Sequence, residues 1–268
     1  MSLRARLALV AILVTAVSLP VVTAHTLIPA FLLHEHARDD AWLHAEVIPL
    51  LVLTVVSCVP LVGMTRGAAR WIAGRRRLTT VTSTGTPASF RGIAYMRIPI
   101  AQVTLFTAGL RTPLIYATAG AERRLAPDAF EAALLHEQAH VQHRDLDWLP
   151  AVACAEAAVG MLPFARKALH ALRVAIEWRA DQDALVGGAL RQGLFDAIVG
   201  ATDGIPASAA LSGVGTVERL RWLADPSARP AREEGFGAVI AGLITPPVAA
   251  HVLVWTGLVC ALCAHRLR

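Results

Sequence analysis

Charged residues are scarce in this sequence. They make up 17% of the 268 residues, whereas hydrophobic residues make up 55%. A water-soluble domain of this length normally carries about 25% charged residues. The shortage of charge, together with long apolar runs, excludes a typical water-soluble composition and predicts a membrane protein.

Lysine is almost absent, since Lys167 is the only one in the chain. The net charge of +5 is therefore carried almost wholly by arginine. The arginines flank apolar runs and do not line one face, which argues against a basic surface for nucleic acid. We accordingly expect no direct contact with nucleic acid.

Cysteine is also rare, and the four cysteines all lie in apolar runs. Nothing in their spacing indicates structural disulfides. Cys260 and Cys263 have the spacing of a redox or metal motif, but small buried residues explain them more simply.

Three apolar runs are long enough to cross a bilayer. The runs at 7–33 and 47–64 predict an N-terminal membrane hairpin over residues 1–64, and a third run predicts a span and tail over residues 236–268. A cleavable signal peptide ending near Ala24 is the alternative for the first run, but the run continues past that point and favours an uncleaved anchor.

The distribution of arginine predicts the orientation of these spans. A cluster follows the second run, formed by Arg66, Arg70, Arg75, Arg76 and Arg77. The positive-inside rule then places residues 65–235 in the cytoplasm, as one α+β domain of a multi-pass protein of the cell membrane. Short strands are predicted at 98–107 and 113–117, with a helix beginning at Pro127.

The predicted helix contains His136-Glu137-Gln138-Ala139-His140. Residues four apart lie on one face, so both histidines can bind a single Zn²⁺. Glu137 is rotated about 100° around the axis, where it can reach a zinc-bound water without being a ligand. This spacing predicts a zinc site with Glu137 as the general base.

A third ligand is expected further along the chain. Glu177 and Asp181 are four apart on a second predicted helix. Glu177 is the candidate ligand, and Asp181 would orient a histidine by accepting its other ring N–H. Glu156 is the alternative third ligand, because it also lies in an apolar setting after the first helix.

The two motifs together resemble the gluzincin metallopeptidases of bacterial membranes. The resemblance covers residues 90–190 and is closer to the BlaR/MecR-type antirepressor peptidases than to the HtpX-like quality-control proteases, through Arg111-Thr112-Pro113, Leu125-Ala126-Pro127, Arg144-Asp145 and Pro163. It implies one zinc per chain, bound by His136, His140 and Glu177. No Ser-x-x-Lys penicillin-binding module follows the last apolar run, so β-lactam sensing is not implied.

The expected protein is a membrane-bound zinc metalloendopeptidase with a gluzincin-type domain and its active site at the cytoplasmic face. Its partners would be the lipid bilayer and a protein or peptide substrate, with a transcriptional repressor as one candidate. An exposed strand near 103–117 would bind the substrate in extended form. Tyr116, Arg111 and Arg179 are the candidates for stabilising the oxyanion. A quality-control protease, a single-use signalling switch and a non-catalytic zinc scaffold are the alternatives.

Other polar residues have functional and structural interpretations. The loop with His34, Glu35, His36, Asp39, Asp40 and His44 is either a metal sensor or a solvated loop. His25 and His251 lie within apolar runs, where ionisable groups are functional candidates. The run at 149–164 cannot cross the membrane once, because His140 and Glu177 would then lie on opposite sides.

Overall fold

The computed structural model describes residues 48–202 and 215–225, together with 9–10, 12–14 and 227. The chain divides into two compact units, one formed by 1–2, 70–150 and 167–234 and the other by 3–69, 151–166 and 235–268. The described elements are, in order, α1 (Ile48–Thr82), β1 (Thr86–Phe90), β2 (Ile93–Ile98), β3 (Leu105–Ala108), β4 (Leu114–Thr118), α2 (Ala119–Arg124), α3 (Pro127–His143), a 3₁₀ turn (Asp145–Asp147), α4 (Leu149–Val159), α5 (Pro163–Val186), α6 (Arg191–Thr202) and α7 (Thr216–Ala224).

The four strands form one mixed sheet in the order β1-β2-β4-β3. β1 and β2 form an antiparallel hairpin, β2 pairs with β4 in parallel, and β3 pairs with β4 antiparallel. The strand predicted at 113–117 corresponds to β4. The strand predicted at 98–107 is wrong, because the chain leaves the sheet at Pro99, which has no N–H to donate, and re-enters it only at Leu105.

Alternation along the strands places one apolar face against α3. Tyr95, Ile115 and Ala117 from the sheet pack with Phe130 and Leu134 from the helix. The Phe130 ring meets the Tyr95 ring edge-on, at 5.6 Å between centroids. The predicted helix start is confirmed, since Pro127 occupies the first turn of α3.

A second cluster of buried side chains joins α3 to the helices that follow it. It contains Ala132, Ala184, Ala189, Leu194, Ile198, Trp222 and Leu223. α3 therefore lies between the sheet on one side and α5, α6 and α7 on the other. The residues of the candidate site all belong to the unit formed by 1–2, 70–150 and 167–234.

The predicted multi-span membrane fold is wrong for the described residues, since no helix among them is both long enough and apolar enough to cross a bilayer. α4 is apolar but has 11 residues, about 16 Å against the roughly 30 Å of a hydrocarbon core. α1 has 35 residues, and its second half carries the arginine cluster from Arg66 to Arg77. The run at 47–64 is the first part of this helix.

For the part of the chain that the structure describes, the same finding contradicts the predicted multi-pass localisation in the cell membrane, with its cytoplasmic active site. The α+β class of the predicted domain stands. The predicted spans at 7–33 and 236–268 lie outside the described residues, apart from a few positions of the first.

Two helical glycines provide a test of how closely α6 packs on α3. A Cβ added at Gly193 would lie 2.7 Å from the Asp128 carbonyl oxygen, whereas one added at Gly74 in α1 would meet nothing within 4 Å. Overpacking costs about 1–3 kcal/mol, more than the roughly 0.5–1 kcal/mol that alanine gains in a helix. We expect Gly193→Ala to lower the free energy of unfolding in urea and Gly74→Ala to raise it slightly. Equal effects would contradict the close approach.

Candidate metal centre

Three donor groups from two helices meet on the side of α3 that faces away from the sheet. His136 and His140 are one helical turn apart on α3, with their Nε2 atoms 3.1 Å from each other. Glu177 of α5 places Oε2 3.3 Å from His136 Nε2 and Oε1 3.8 Å from His140 Nε2. Among the described residues these three form a group whose donor atoms all lie within 4.8 Å of one another.

The donor set fits a divalent metal ion. Metal bonds of about 2.0–2.1 Å in a tetrahedron place neighbouring donors about 3.3 Å apart. The observed separations of 3.1, 3.3 and 3.8 Å lie around this value. Both Nδ1 atoms are turned toward other carboxylates, so both Nε2 atoms face Glu177. The prediction is therefore confirmed to the extent that His136, His140 and Glu177 could hold a metal ion.

Asp181, the residue expected to orient a histidine, contacts the Nδ1 side of the His136 ring. Its Oδ1 lies 2.8 Å from His136 Nδ1, and its side chain is fully buried. Burial raises the pKa of Asp181, but the charge of Arg219 and the hydrogen bond with His136 together lower it to about 2. The carboxylate is thus ionised and accepts the ring N–H.

The pKa of His136 shows how strongly these carboxylates act on it. Burial and the charge of Arg219 lower this pKa, yet the hydrogen bonds with Asp181 and Glu177 raise it to about 9. The ring is therefore protonated in the metal-free protein at neutral pH. A metal ion held at Nε2 would take the place of that proton.

His140 has an equivalent support that the sequence did not reveal. Asp145 Oδ2 lies 2.9 Å from His140 Nδ1, and Arg179 Nη2 lies 2.6 Å from Asp145 Oδ1. Burial raises the pKa of Asp145, while the hydrogen bonds from His140 and Arg179 lower it below its ordinary value. Arg144 makes this contact possible, because its left-handed φ of 53° ends α3 and turns the chain back. No sequence signal identified this role.

Arg219 of α7 is the second residue that sequence reasoning missed. Its guanidinium donates from Nε and Nη2 to the two oxygens of Asp181, at 2.9 and 2.6 Å, and its Nη1 lies 3.1 Å from Glu177 Oε2. A signal was present, because Trp222 and Leu223 follow it by three and four residues. That spacing places Arg219 on the apolar face of α7, where it is 7% exposed.

Glu137 is held from the side of the sheet. The Thr107 hydroxyl, on β3, lies 2.7 Å from Glu137 Oε2 and 3.2 Å from the Glu137 carbonyl oxygen. Glu137 is half-buried and follows His136 directly in α3. One oxygen of its carboxylate is thereby held at the edge strand of the sheet.

Several other sequence candidates do not join the site. Glu156 is not a member of the donor group. Tyr116 alternates with the core residues of β4 and stacks on Phe106, with 5.4 Å between ring centroids, on the other face of the sheet. Arg111 is exposed between β3 and β4. Outside the described residues lie His25, the loop from His34 to His44, His251, Cys260 and Cys263.

Comparison with known proteins identifies no relative, since no family model, curated protein or solved structure matches this chain. The resemblance to membrane gluzincins therefore stays a prediction from the residues that carry it.

The two acids of the 3₁₀ turn test the support of His140. Asp145 is buried against His140, whereas Asp147 pairs with Arg144 and its side chain is 37% exposed. Loss of a carboxylate behind a metal-binding histidine typically weakens metal affinity about 10–100-fold. We expect this loss in Asp145→Asn and not in Asp147→Asn, measured by titrating the purified protein with a divalent transition metal. Equal affinities in the two variants would contradict the assigned role.

Proposed function

We propose that this protein is a zinc-dependent endopeptidase of the gluzincin type. His136, His140 and Glu177 would hold the zinc, and Glu137 would be the general base. The observation that carries the proposal is the position of Glu137, which lies next to a three-donor group and is hydrogen-bonded to an edge strand.

The chemistry of the donors favours zinc among the divalent metals. Two imidazoles and one carboxylate are the protein ligands of many catalytic zinc sites, whereas magnesium and calcium prefer oxygen ligands. Zinc bound here would polarise a carbonyl group and lower the pKa of a water molecule that it binds.

The residues of this chain would supply the remaining chemistry. Glu137 would accept a proton from the attacking water and later deliver it to the leaving amine of the cleaved peptide. Thr107 would hold the Glu137 carboxylate in place through Oε2. Asp181 and Asp145 would keep the two imidazole rings in the tautomer that presents Nε2 to the metal.

The sheet suggests how a peptide would be bound. β3 is an edge strand of the described sheet, paired only with β4. An extended peptide can add to such an edge through main-chain hydrogen bonds. Because Thr107 of this strand contacts Glu137, a peptide along β3 would lie beside the base. The substrate class would thus be an extended protein segment, and a transcriptional repressor stays one candidate.

Zinc content tests the ligands. Purified protein should contain about one zinc per chain, and His140→Ala or Glu177→Ala should lose most of it, because each change removes one of three protein ligands. Glu156→Ala is the control and should retain its zinc, as measured by elemental analysis after dialysis. If Glu177→Ala kept its full zinc content and Glu156→Ala lost its zinc, the assignment of Glu177 as the third ligand would be wrong.

Two glutamates of α3 test the base. Glu137→Gln keeps the size of the side chain and spares the metal ligands but cannot accept a proton, so cleavage should fall at least about 10²–10⁴-fold with zinc retained. Glu131→Gln, whose parent side chain pairs with Arg91 at the surface, should cleave like wild type. Cleavage is measured by mass spectrometry on a peptide library. If the wild-type protein bound zinc but cleaved no peptide, as expected for Glu137→Gln, the result would favour the non-catalytic scaffold.

A further inference from the structure

Arg219 lies between two buried carboxylates of the metal centre. It is the partner of both Glu177 and Asp181, whose side chains are 11% and 0% exposed. A guanidinium is always charged and has donors in a fixed fork, so it can bind both groups at once. The metal-free site therefore contains a permanent positive charge beside the carboxylate that would bind the metal.

Without a counter-charge, these carboxylates would be costly to bury. Removing one partner of a buried ion pair leaves the other charge uncompensated and is strongly destabilising. The burial of the Glu177 and Asp181 carboxylates therefore depends on their ion pairs with Arg219.

The position of Arg219 is fixed by its own helix. Trp222, one turn further along α7, meets Trp178 edge-on with 6.3 Å between ring centroids. Trp178 follows Glu177 directly in α5. The same turn of α5 therefore carries both the metal-binding carboxylate and the ring against which α7 packs.

We propose that Arg219 is a positioning residue that replaces the positive charge of the metal in the metal-free protein. It pairs with Glu177 and Asp181 and holds both carboxylates in place, so that the site is assembled before the metal binds. The inference rests on the proposed function because it takes zinc as the metal, but it does not require the protein to cleave peptides.

The experiment compares two arginines of α7, since Arg219 is buried and Arg221 is exposed. Thermal unfolding is measured with a chelator and with excess zinc. With the chelator, we expect the Tm of Arg219→Gln to fall by about 6–20 °C, the usual result of leaving a buried charge unpaired in a domain of this size. Arg221→Gln should unfold like wild type.

Zinc should reverse part of this loss. Zinc brings positive charge to Glu177 and takes over part of the role of Arg219, so it should raise the Tm of Arg219→Gln more than that of wild type. An equal or smaller rise would overturn the proposal, as would an unchanged Tm of Arg219→Gln in the chelator.

A second variant separates charge from packing. Arg219→Gln combined with Asp181→Asn removes one carboxylate along with the guanidinium, so in the chelator it should be more stable than Arg219→Gln alone. If Arg219→Gln alone does not fold, recovery of folding in the double variant supports the proposal, and absence of recovery overturns it. A wild-type protein whose Tm does not respond to zinc would contradict the proposed function, while the chelator comparison would still test Arg219.

Discussion

Each of the two imidazoles that could bind a metal contacts a buried carboxylate through Nδ1. Each of those carboxylates also forms an ion pair with an arginine. Asp181 contacts His136 and pairs with Arg219. Asp145 contacts His140 and pairs with Arg179. Buried charges of this kind are stable only when they are paired and hydrogen-bonded. The two chains of contacts draw on α3, the 3₁₀ turn, α5 and α7. These elements must therefore all be in place before the three donors can face one another.

The small residues on one face of α3 also help the three donors to face one another. Glutamate and histidine are short, so the helices that carry them must approach closely before they can share a metal. Ala129, Ala132 and Ala139 are the small buried residues of α3. Leu134 and Phe130 face the sheet, where larger side chains fill the core. The distribution of small and large residues on α3 thus separates the face that carries His136 and His140 from the face that packs on the sheet.

The parts of the site that could be predicted from sequence are those set within one helix. The pairs His136 and His140, and Glu177 and Asp181, are each four apart, and helical periodicity alone places each pair on one face. Asp145 and Arg219 depend on tertiary structure: one needs the left-handed turn at Arg144, and the other comes from a helix 38 residues beyond Asp181. The membrane fold was predicted from scarce charge and three long apolar runs, two of which lie almost wholly outside the described residues. Among the described residues, no helix is both long enough and apolar enough to cross a bilayer.

The candidate base and the donors are supported from opposite sides of α3. The donors are held by ion pairs among helices, whereas Glu137 is held by a hydroxyl of an edge strand. Main-chain hydrogen bonds from a peptide added to β3 would act on the strand that carries Thr107 and not on the ion pairs. In the proposed peptidase, a peptide bound to β3 would therefore affect the position of Glu137 through Thr107, while the metal ligands stay fixed. A site divided in this way can hold its metal firmly and still link proton transfer to the presence of an extended substrate.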